Sequence, residues 1–138
     1  QVAQLTDPGN HYGGYTRSMV LAKDYIRALR IRRKIAVPID ALLSKYDALV
    51  SPSKLITSVP LNGEKGSDST PAPSNIVSDV GNLAGLPAIS VPNGLGDHNL
   101  PTGIRFTGRA YEEESVLAIA RAYQSLTTWH QLHPVLLP

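Results

Sequence analysis

The chain has 138 residues, 42% of them hydrophobic, and a formal net charge of +2 at pH 7, which fits one globular domain with a single hydrophobic core. This small charge provides no long-range field for a nucleic acid or a membrane surface, and the absence of cysteine excludes disulfides, thiolate metal sites and a cysteine nucleophile. No apolar run approaches the length of a membrane span, and residues 1–14 lack the pattern of a signal peptide, which favours a cytoplasmic location without fixing it.

The first half of the chain is predicted to contain one long helix, one strand and two loops. Residues 1–14 are rich in glycine, proline and polar side chains, so we expect a loop. Thr16 can cap a helix that Pro38 should end or kink, before a short further helix. Two apolar stripes predict that other parts of the protein cover this helix on two sides. The first stripe is Met19, Ala22, Ile26 and Leu29, and the second is Val20, Ala28, Ile31 and Ile35. A strand is predicted over 48–50, and the aperiodic segment 54–74 is predicted to be a flexible loop at the rim of a site.

The second half is predicted to alternate helices and strands. A helix over 74–84 is followed by a buried strand over 88–91, which a turn at 92–94 should end. A second strand is predicted over 102–106, and the acidic residues from Glu112 suit the start of a last helix. The inner stripe of that helix is Val116, Ile119, Ala120, Tyr123 and Thr127. This order predicts a single domain, 1–138, of the α/β class, with a mixed or predominantly parallel sheet covered by helices.

Two motifs in this half carry a family resemblance. Residues 82–87 read Asn-Leu-Ala-Gly-Leu-Pro, where Gly85 can take the left-handed conformation that closes a helix and Pro87 cannot continue it. Residues 101–109 read Pro-Thr-Gly-Ile-Arg-Phe-Thr-Gly-Arg. In this order the motifs resemble the C-terminal third of amidase-signature enzymes, and the resemblance runs from the helix after Thr16 through Pro134.

The resemblance implies an acyl-transfer enzyme whose chemistry lies outside this chain. The family uses a serine, a second serine on a cis peptide and a lysine, set in an upstream Gly/Ser-rich segment that this sequence lacks. We therefore expect no catalytic residue, no metal and no cofactor here. The chain is interpreted as an expressed domain, a processed product or a proteolytic remnant, with the N-terminal part of the same enzyme and a small amide as partners. Alone, it should either self-associate into a homo-oligomer or depend on that N-terminal part, because a divided sheet exposes edges and apolar faces.

The helix over 74–84 carries the candidate site. Its apolar face is formed by Ile76, Val80, Leu83 and Ala84, and its polar face by Asn75, Ser78, Asp79 and Asn82. Pattern alone favours an exposed polar surface. The resemblance implies that this helix borders the active site, so Asn75, Ser78 and Asp79 are the candidate substrate-binding residues. For Asn82, a bond to loop backbone near the helix end is an alternative.

The resemblance leaves three functions open. The A chain of glutamyl-tRNA amidotransferase has an aspartate seven residues before the first asparagine of the motif, where it receives the amino group of glutamine. This sequence has Asn75 there. Because a neutral amide binds an ammonium group more weakly than a carboxylate does, we favour a general amidase acting on a small or hydrophobic amide. The second function is that of the amidotransferase A chain itself, and the third is that of an inert binding or assembly module of the same fold.

Three further patterns have simpler interpretations. Ser51 and Lys54 match the S-x-x-K of penicillin-recognising enzymes, but a predicted strand precedes them and no helix is indicated. His130 and His133 could share a helical face as metal ligands, although no third ligand stands nearby. A basic stripe on the first helix is interpreted as a solvated face and not as an RNA contact, because no aromatic residues interleave with it; it comprises Lys23, Arg27, Arg30 and Lys34.

Overall fold

The computed structural model describes residues 20–58 and 75–133. The predicted loop at 1–14, the Thr16 cap and most of the predicted loop at 54–74 lie outside the described residues. The chain divides into two compact units, Gln1–Lys34 and Ile35–Pro138. The elements, in chain order, are α1 (Ala22–Leu43), β1 (Leu49–Pro52), α2 (Ile76–Ala84), β2 (Ala88–Leu95), a 3₁₀ turn (Asp97–Asn99), β3 (Pro101–Thr107), α3 (Glu113–Ser125) and a second 3₁₀ turn (Trp129–Gln131).

Helix α1 differs from its prediction in two respects. It continues through Pro38 to Leu43, so of the two predicted effects of the proline, an end or a kink, the end is wrong. Proline removes its own N–H from the hydrogen-bond ladder and its ring crowds the carbonyl of residue i−4. The helical hydrogen bonds nevertheless continue beyond it to Leu43. Every residue from Leu21 to Lys34 is exposed, so the predicted cover on two sides is also not provided within the described part of this chain.

The three strands form one sheet in the order β1-β3-β2, and both strand pairs are antiparallel. The α/β class and the helix-covered sheet are confirmed, whereas the expected parallel pairing is wrong for these strands. The physical reason is the link from β2 to β3. It spans only residues 96–100, and a parallel crossover needs a dozen or more residues.

Strand β2 is longer than predicted because it contains a bulge. The predicted turn at 92–94 is instead a register shift between Pro92 and Gly94, after which pairing with β3 resumes. The Thr102 hydroxyl donates to Asn93 Oδ1 across this irregularity at 2.9 Å. Pro92 is tolerated since β2 is an edge strand, where a missing N–H breaks no interior ladder.

One face of the sheet is apolar and packs against α3. The core contains Val91, Phe106 and Ala120, and the Phe106 and Tyr123 rings lie 5.8 Å apart. Val116 is also buried. The predicted inner stripe of α3 is therefore confirmed, with Thr127 just past the helix end, where its hydroxyl donates to the Tyr123 carbonyl.

Helix α2 ends where predicted but begins at Ile76 and not at residue 74, and it packs through a different face. Asn75 is its N-cap, and Gly85 closes it in the left-handed conformation at φ 76°. Ile76 is 72% exposed, so the predicted packing through the apolar face is wrong for this residue. The helix lies against β3 instead, and a Cβ added to Gly81 would be 3.3 Å from Thr107 Cγ2. The face of β3 that meets α2 is itself polar, which explains why the polar side of the helix contacts it.

Candidate functional site

A cleft of about 1200 Å³ opens where the polar side of α2 meets the polar face of the sheet. It lies wholly in the second unit. Three parts of the chain line it: the segment after β1, helix α2, and the β2–β3 hairpin. The lining residues are Ser53, Lys54, Leu55, Ile56, Thr57, Ser58, Asn75, Ser78, Asp79, Asn82, Ser90, Gly96, Asp97, Pro101, Thr102, Gly103 and Arg105. The three predicted site residues of α2 are thus brought together in one cleft.

Arg105 lies at the centre of the sheet face that forms one wall of the cleft. It stands on the middle strand β3, where its register partners are Ser51 on β1 and Ser90 on β2. Its Nη1 donates to Ser78 Oγ at 2.6 Å, and its Nη2 donates to Asn82 Oδ1 at 3.2 Å. The half-buried guanidinium therefore holds α2 against the sheet by bonds to two neutral oxygens.

Asn75 has a structural task in addition to lining the cleft. Its Oδ1 accepts from the Ser78 backbone N–H at 3.4 Å, which caps α2. Its Nδ2 donates to the Pro52 carbonyl at 2.6 Å. The side-chain amide is engaged at both ends and fixes the start of α2 to the end of β1.

Asp79 and Asn82 are both exposed, and both line the cleft. Asp79 follows Ser78 on α2 and brings a carboxylate to the cleft wall. The sequence allows a bond from Asn82 to loop backbone, whereas the structure gives its side chain a bond to Arg105. This contact joins the end of α2 to β3, so the Arg105 guanidinium bonds Asn82 as well as Ser78.

Several polar atoms on this sheet face are buried without a hydrogen-bond partner among the described residues. They are Ser51 Oγ, Ser53 Oγ, Arg105 Nε and Thr107 Oγ1. Alternation along β1 and β3 puts all four side chains on the face opposite the Phe106 core. Unpaired polar atoms of this kind are uncommon in a folded protein, and their clustering marks this face as the chemically distinctive one.

The two short motifs do not form sites in the structure. Ser51 is buried in strand β1, whereas the S-x-x-K arrangement needs a helix to bring its lysine beside the serine. His130 lies in the 3₁₀ turn after α3 has ended, and His133 follows that turn. Their spacing therefore does not place them on one helical face.

Arg109, the last residue of the second motif, forms ion pairs away from the cleft. Its Nε lies 2.7 Å from Asp40 Oδ1, its Nη2 donates to Asp40 Oδ2 at 3.3 Å, and Glu112 Oε1 lies 3.6 Å from Nη1. The hydrogen bond from Arg109 lowers the pKa of the Asp40 carboxyl below its usual value. This pair joins the end of α1 to the end of β3.

Sequence reasoning missed Arg105. Its position in the second motif could have indicated it, because Arg105 lies between the apolar residues Ile104 and Phe106 on a half-buried strand. A charge at such a position must face either solvent or a polar partner. The sequence could not show that the partner is α2.

Comparison with known proteins identifies the family. The family model for amidases matches residues 2–117. The chain belongs to the amidase family. It is 38% identical over 114 residues to the A chain of glutamyl-tRNA(Gln) amidotransferase from Legionella pneumophila, a match that covers 80% of this chain and 23% of that protein. It is 36% identical over 120 residues to the A chain of the same enzyme from Thermotoga maritima, covering 86% of this chain and 25% of the relative.

The fold agrees with this assignment. The crystal structure of the Thermotoga maritima amidotransferase A chain superposes with a TM-score of 0.69 at 31% identity, covering 96% of this chain and 31% of that one. This chain therefore spans about a quarter of the length of these relatives. Among residues 20–58 and 75–133, no helix has both the length and the apolar character needed to cross a membrane.

Proposed function

We propose that this chain is the C-terminal portion of an amidase that hydrolyses a carbon–nitrogen amide bond. The proposal is carried by the family match together with the two motifs, whose order is that of the C-terminal third of amidase-signature enzymes. In the parent enzyme an upstream serine attacks the amide carbonyl, and a backbone oxyanion hole takes the developing charge. The leaving amine is protonated through the second serine and the lysine.

The role of this chain is to bind and orient the substrate. Helix α2 and strand β3 form one wall of the acyl pocket, and the polar groups offered there belong to Ser78, Asp79 and Arg105. Asn75 contributes by fixing the start of α2, since its amide bonds both the helix N-terminus and β1. The N-terminal part of the same enzyme supplies the remainder of the pocket.

A second candidate is the A chain of a glutamyl-tRNA amidotransferase, the name that the relatives carry. Against it stands Asn75, at the position where the resemblance puts a substrate-binding carboxylate. Its amide already bonds the Ser78 N–H and the Pro52 carbonyl. A neutral amide so engaged is a poor partner for the ammonium group of glutamine, so a general amidase remains the better proposal.

The test is ammonia release by the full-length parent enzyme from a panel of amides that includes glutamine. We expect turnover of small or hydrophobic amides and little turnover of glutamine. Preferred turnover of glutamine in the presence of glutamyl-tRNA would favour the amidotransferase instead. No ammonia from any amide would favour the inert module.

A pair of serine variants tests whether α2 lines the substrate pocket. Ser78→Ala removes a hydroxyl from the cleft and should lower kcat/KM about tenfold, the effect of losing one discriminating contact. Ser125→Ala is the matched control, because that exposed hydroxyl only donates to the Ala122 carbonyl on α3. Equal kinetics in the two variants would remove Ser78 from the substrate site.

A further inference from the structure

We propose that the outer face of α3 is a self-association surface, through which two copies of the protein pair about a two-fold axis with their α3 helices antiparallel. The partner is a second copy of this chain, and the contact lies on the side of α3 turned away from the sheet. Pairing of this kind involves neither the cleft nor the amide chemistry, so it can be tested apart from the proposed function.

The outer face of α3 has few charged groups. Val116 and Ala120 pack towards the sheet, and a groove of about 510 Å³ follows the opposite, exposed side of the helix. The residues that line this groove are Glu114, Leu117, Ala118, Arg121, Ala122 and Ser125. The solvated side of a surface helix ordinarily carries charged and polar side chains. Here one acid and one base accompany a leucine and two alanines, a composition suited to a contact.

The two ends of α3 carry exposed apolar side chains. Tyr111, just before the helix, is 95% exposed, and Leu126, just after it, is 86% exposed; no other large apolar side chain of the described residues is as exposed. The backbone of Tyr111 has φ 66°, which is uncommon for a bulky residue. An antiparallel pair places the start of one α3 beside the end of the other. Each Tyr111 would therefore come close to Leu126 of the second copy, and both would be removed from water.

Two charges determine the register of the pair. Glu114 and Arg121 lie on the same side of α3 and are about 10.5 Å apart along its axis. Neither forms an ion pair within residues 20–58 and 75–133. If the two-fold axis passes between Leu117 and Ala118, each Glu114 faces Arg121 of the other copy, and symmetry forms this pair twice. A parallel arrangement would instead oppose like charges, which is unfavourable.

These features favour a second copy over an unrelated partner. A two-fold interface must be complementary to itself, and an acid and a base placed symmetrically about the centre of α3 meet that condition. A helix that covers a sheet in a layered α/β domain turns its outer face to the surface, so the face is accessible in the full-length protein. Since α3 has 13 residues, the contact is at the low end of specific interface sizes, and association should be weak and concentration-dependent.

Sedimentation equilibrium of the full-length protein over a range of micromolar concentrations measures the association. Glu114→Arg and Arg121→Glu each oppose like charges at both ends of the pair, so each should raise the Kd about tenfold or more. The matched controls are Asp47→Arg and Lys45→Glu, which change net charge equally at exposed residues between α1 and β1. They should leave the Kd within about twofold of wild type. Circular dichroism and melting temperature establish that each variant is folded.

Mixing the two single variants is the decisive experiment. In a mixed pair of Glu114→Arg with Arg121→Glu, opposite charges again face each other at both ends, so a heterodimer should form although neither variant associates well alone. The double variant Glu114→Arg/Arg121→Glu exchanges the charges within each copy and should associate with a Kd within about threefold of wild type. Only an antiparallel pairing of α3 with itself predicts both restorations.

The proposal is overturned if the wild type remains monomeric over the whole concentration range, or if the single variants associate as the wild type does. Failure of the mixture and of the double variant to associate would overturn it as well. A lowered melting temperature in the single variants, but not in the controls, would show that the N-terminal part of the same protein covers α3, and would also overturn it. Leu117→Ala should weaken association but barely change the stability of the dissociated subunit, in which Leu117 is 57% exposed.

Discussion

Asn75→Ala should destabilise the protein as well as alter its cleft. The substitution removes the acceptor that caps α2 and the donor that bonds the Pro52 carbonyl at 2.6 Å. Loss of an N-cap costs about 0.5–2 kcal/mol, and loss of one ordinary hydrogen bond costs about 0.5–1.5 kcal/mol. The two effects share one side chain, so we expect a decrease in the free energy of unfolding of about 1–3 kcal/mol.

Asn75→Asp separates the two contacts. Aspartate still accepts from the Ser78 N–H and is a good N-cap, but it cannot donate to the Pro52 carbonyl and places a carboxylate beside it. This variant should therefore lie between wild type and Asn75→Ala in stability.

Urea unfolding of the full-length protein, followed by circular dichroism, measures both variants. Stability of Asn75→Ala within about 0.5 kcal/mol of wild type would refute the structural role. If kcat/KM fell about tenfold in that stable variant, Asn75 would instead be a direct substrate contact, as the family resemblance implies.

Three further outcomes follow from the packing and the charges. Phe106→Ala should destabilise the protein by about 3–5 kcal/mol, because this core side chain of β3 is only 6% exposed. Leu117→Ala truncates a side chain of α3 that is 57% exposed and should change stability by less than about 1 kcal/mol, which urea unfolding of both variants can measure. Asp40→Asn removes a carboxylate whose pKa in the folded protein is lowered by Arg109. The resulting loss of stability should be complete at neutral pH and should disappear as the pH falls below the usual aspartate pKa of 3.8, so a loss that grows in acid would contradict the expectation. The isolated chain should sediment as an oligomer, or its melting temperature should rise when the N-terminal part is added. A stable monomer whose melting temperature does not change on that addition would refute this expectation.

Local sequence signals predicted much of the fold. The spacing of Val116 and Ala120 indicated the buried face of α3, and Gly85 indicated the end of α2, because helical period and left-handed glycine are properties of short segments. The sequence predicts a turn where β2 has its bulge, because proline and glycine, here Pro92 and Gly94, occur both at turns and at bulges.

The parts that depend on distant contacts could not be predicted. Residues Ser78 and Arg105 are 27 positions apart, and nothing in either segment indicates that their side chains meet. The face of α2 that contacts the sheet was misjudged for the same reason. Apolar residues such as Ile76 were expected to pack inward, but the sheet face they would have met carries serines, a threonine and an arginine.

The most direct test of the proposed function is labelling of the full-length protein with a fluorophosphonate probe, which reacts with activated serines, followed by peptide mapping. An activated serine needs a neighbouring base and oriented donors. Among the described residues, Ser51 is buried in a strand and its hydroxyl has no hydrogen-bonded base. We therefore expect one labelled serine upstream of residue 1 and none within 1–138. Stoichiometric labelling of a serine inside this chain, Ser51 above all, would contradict the account.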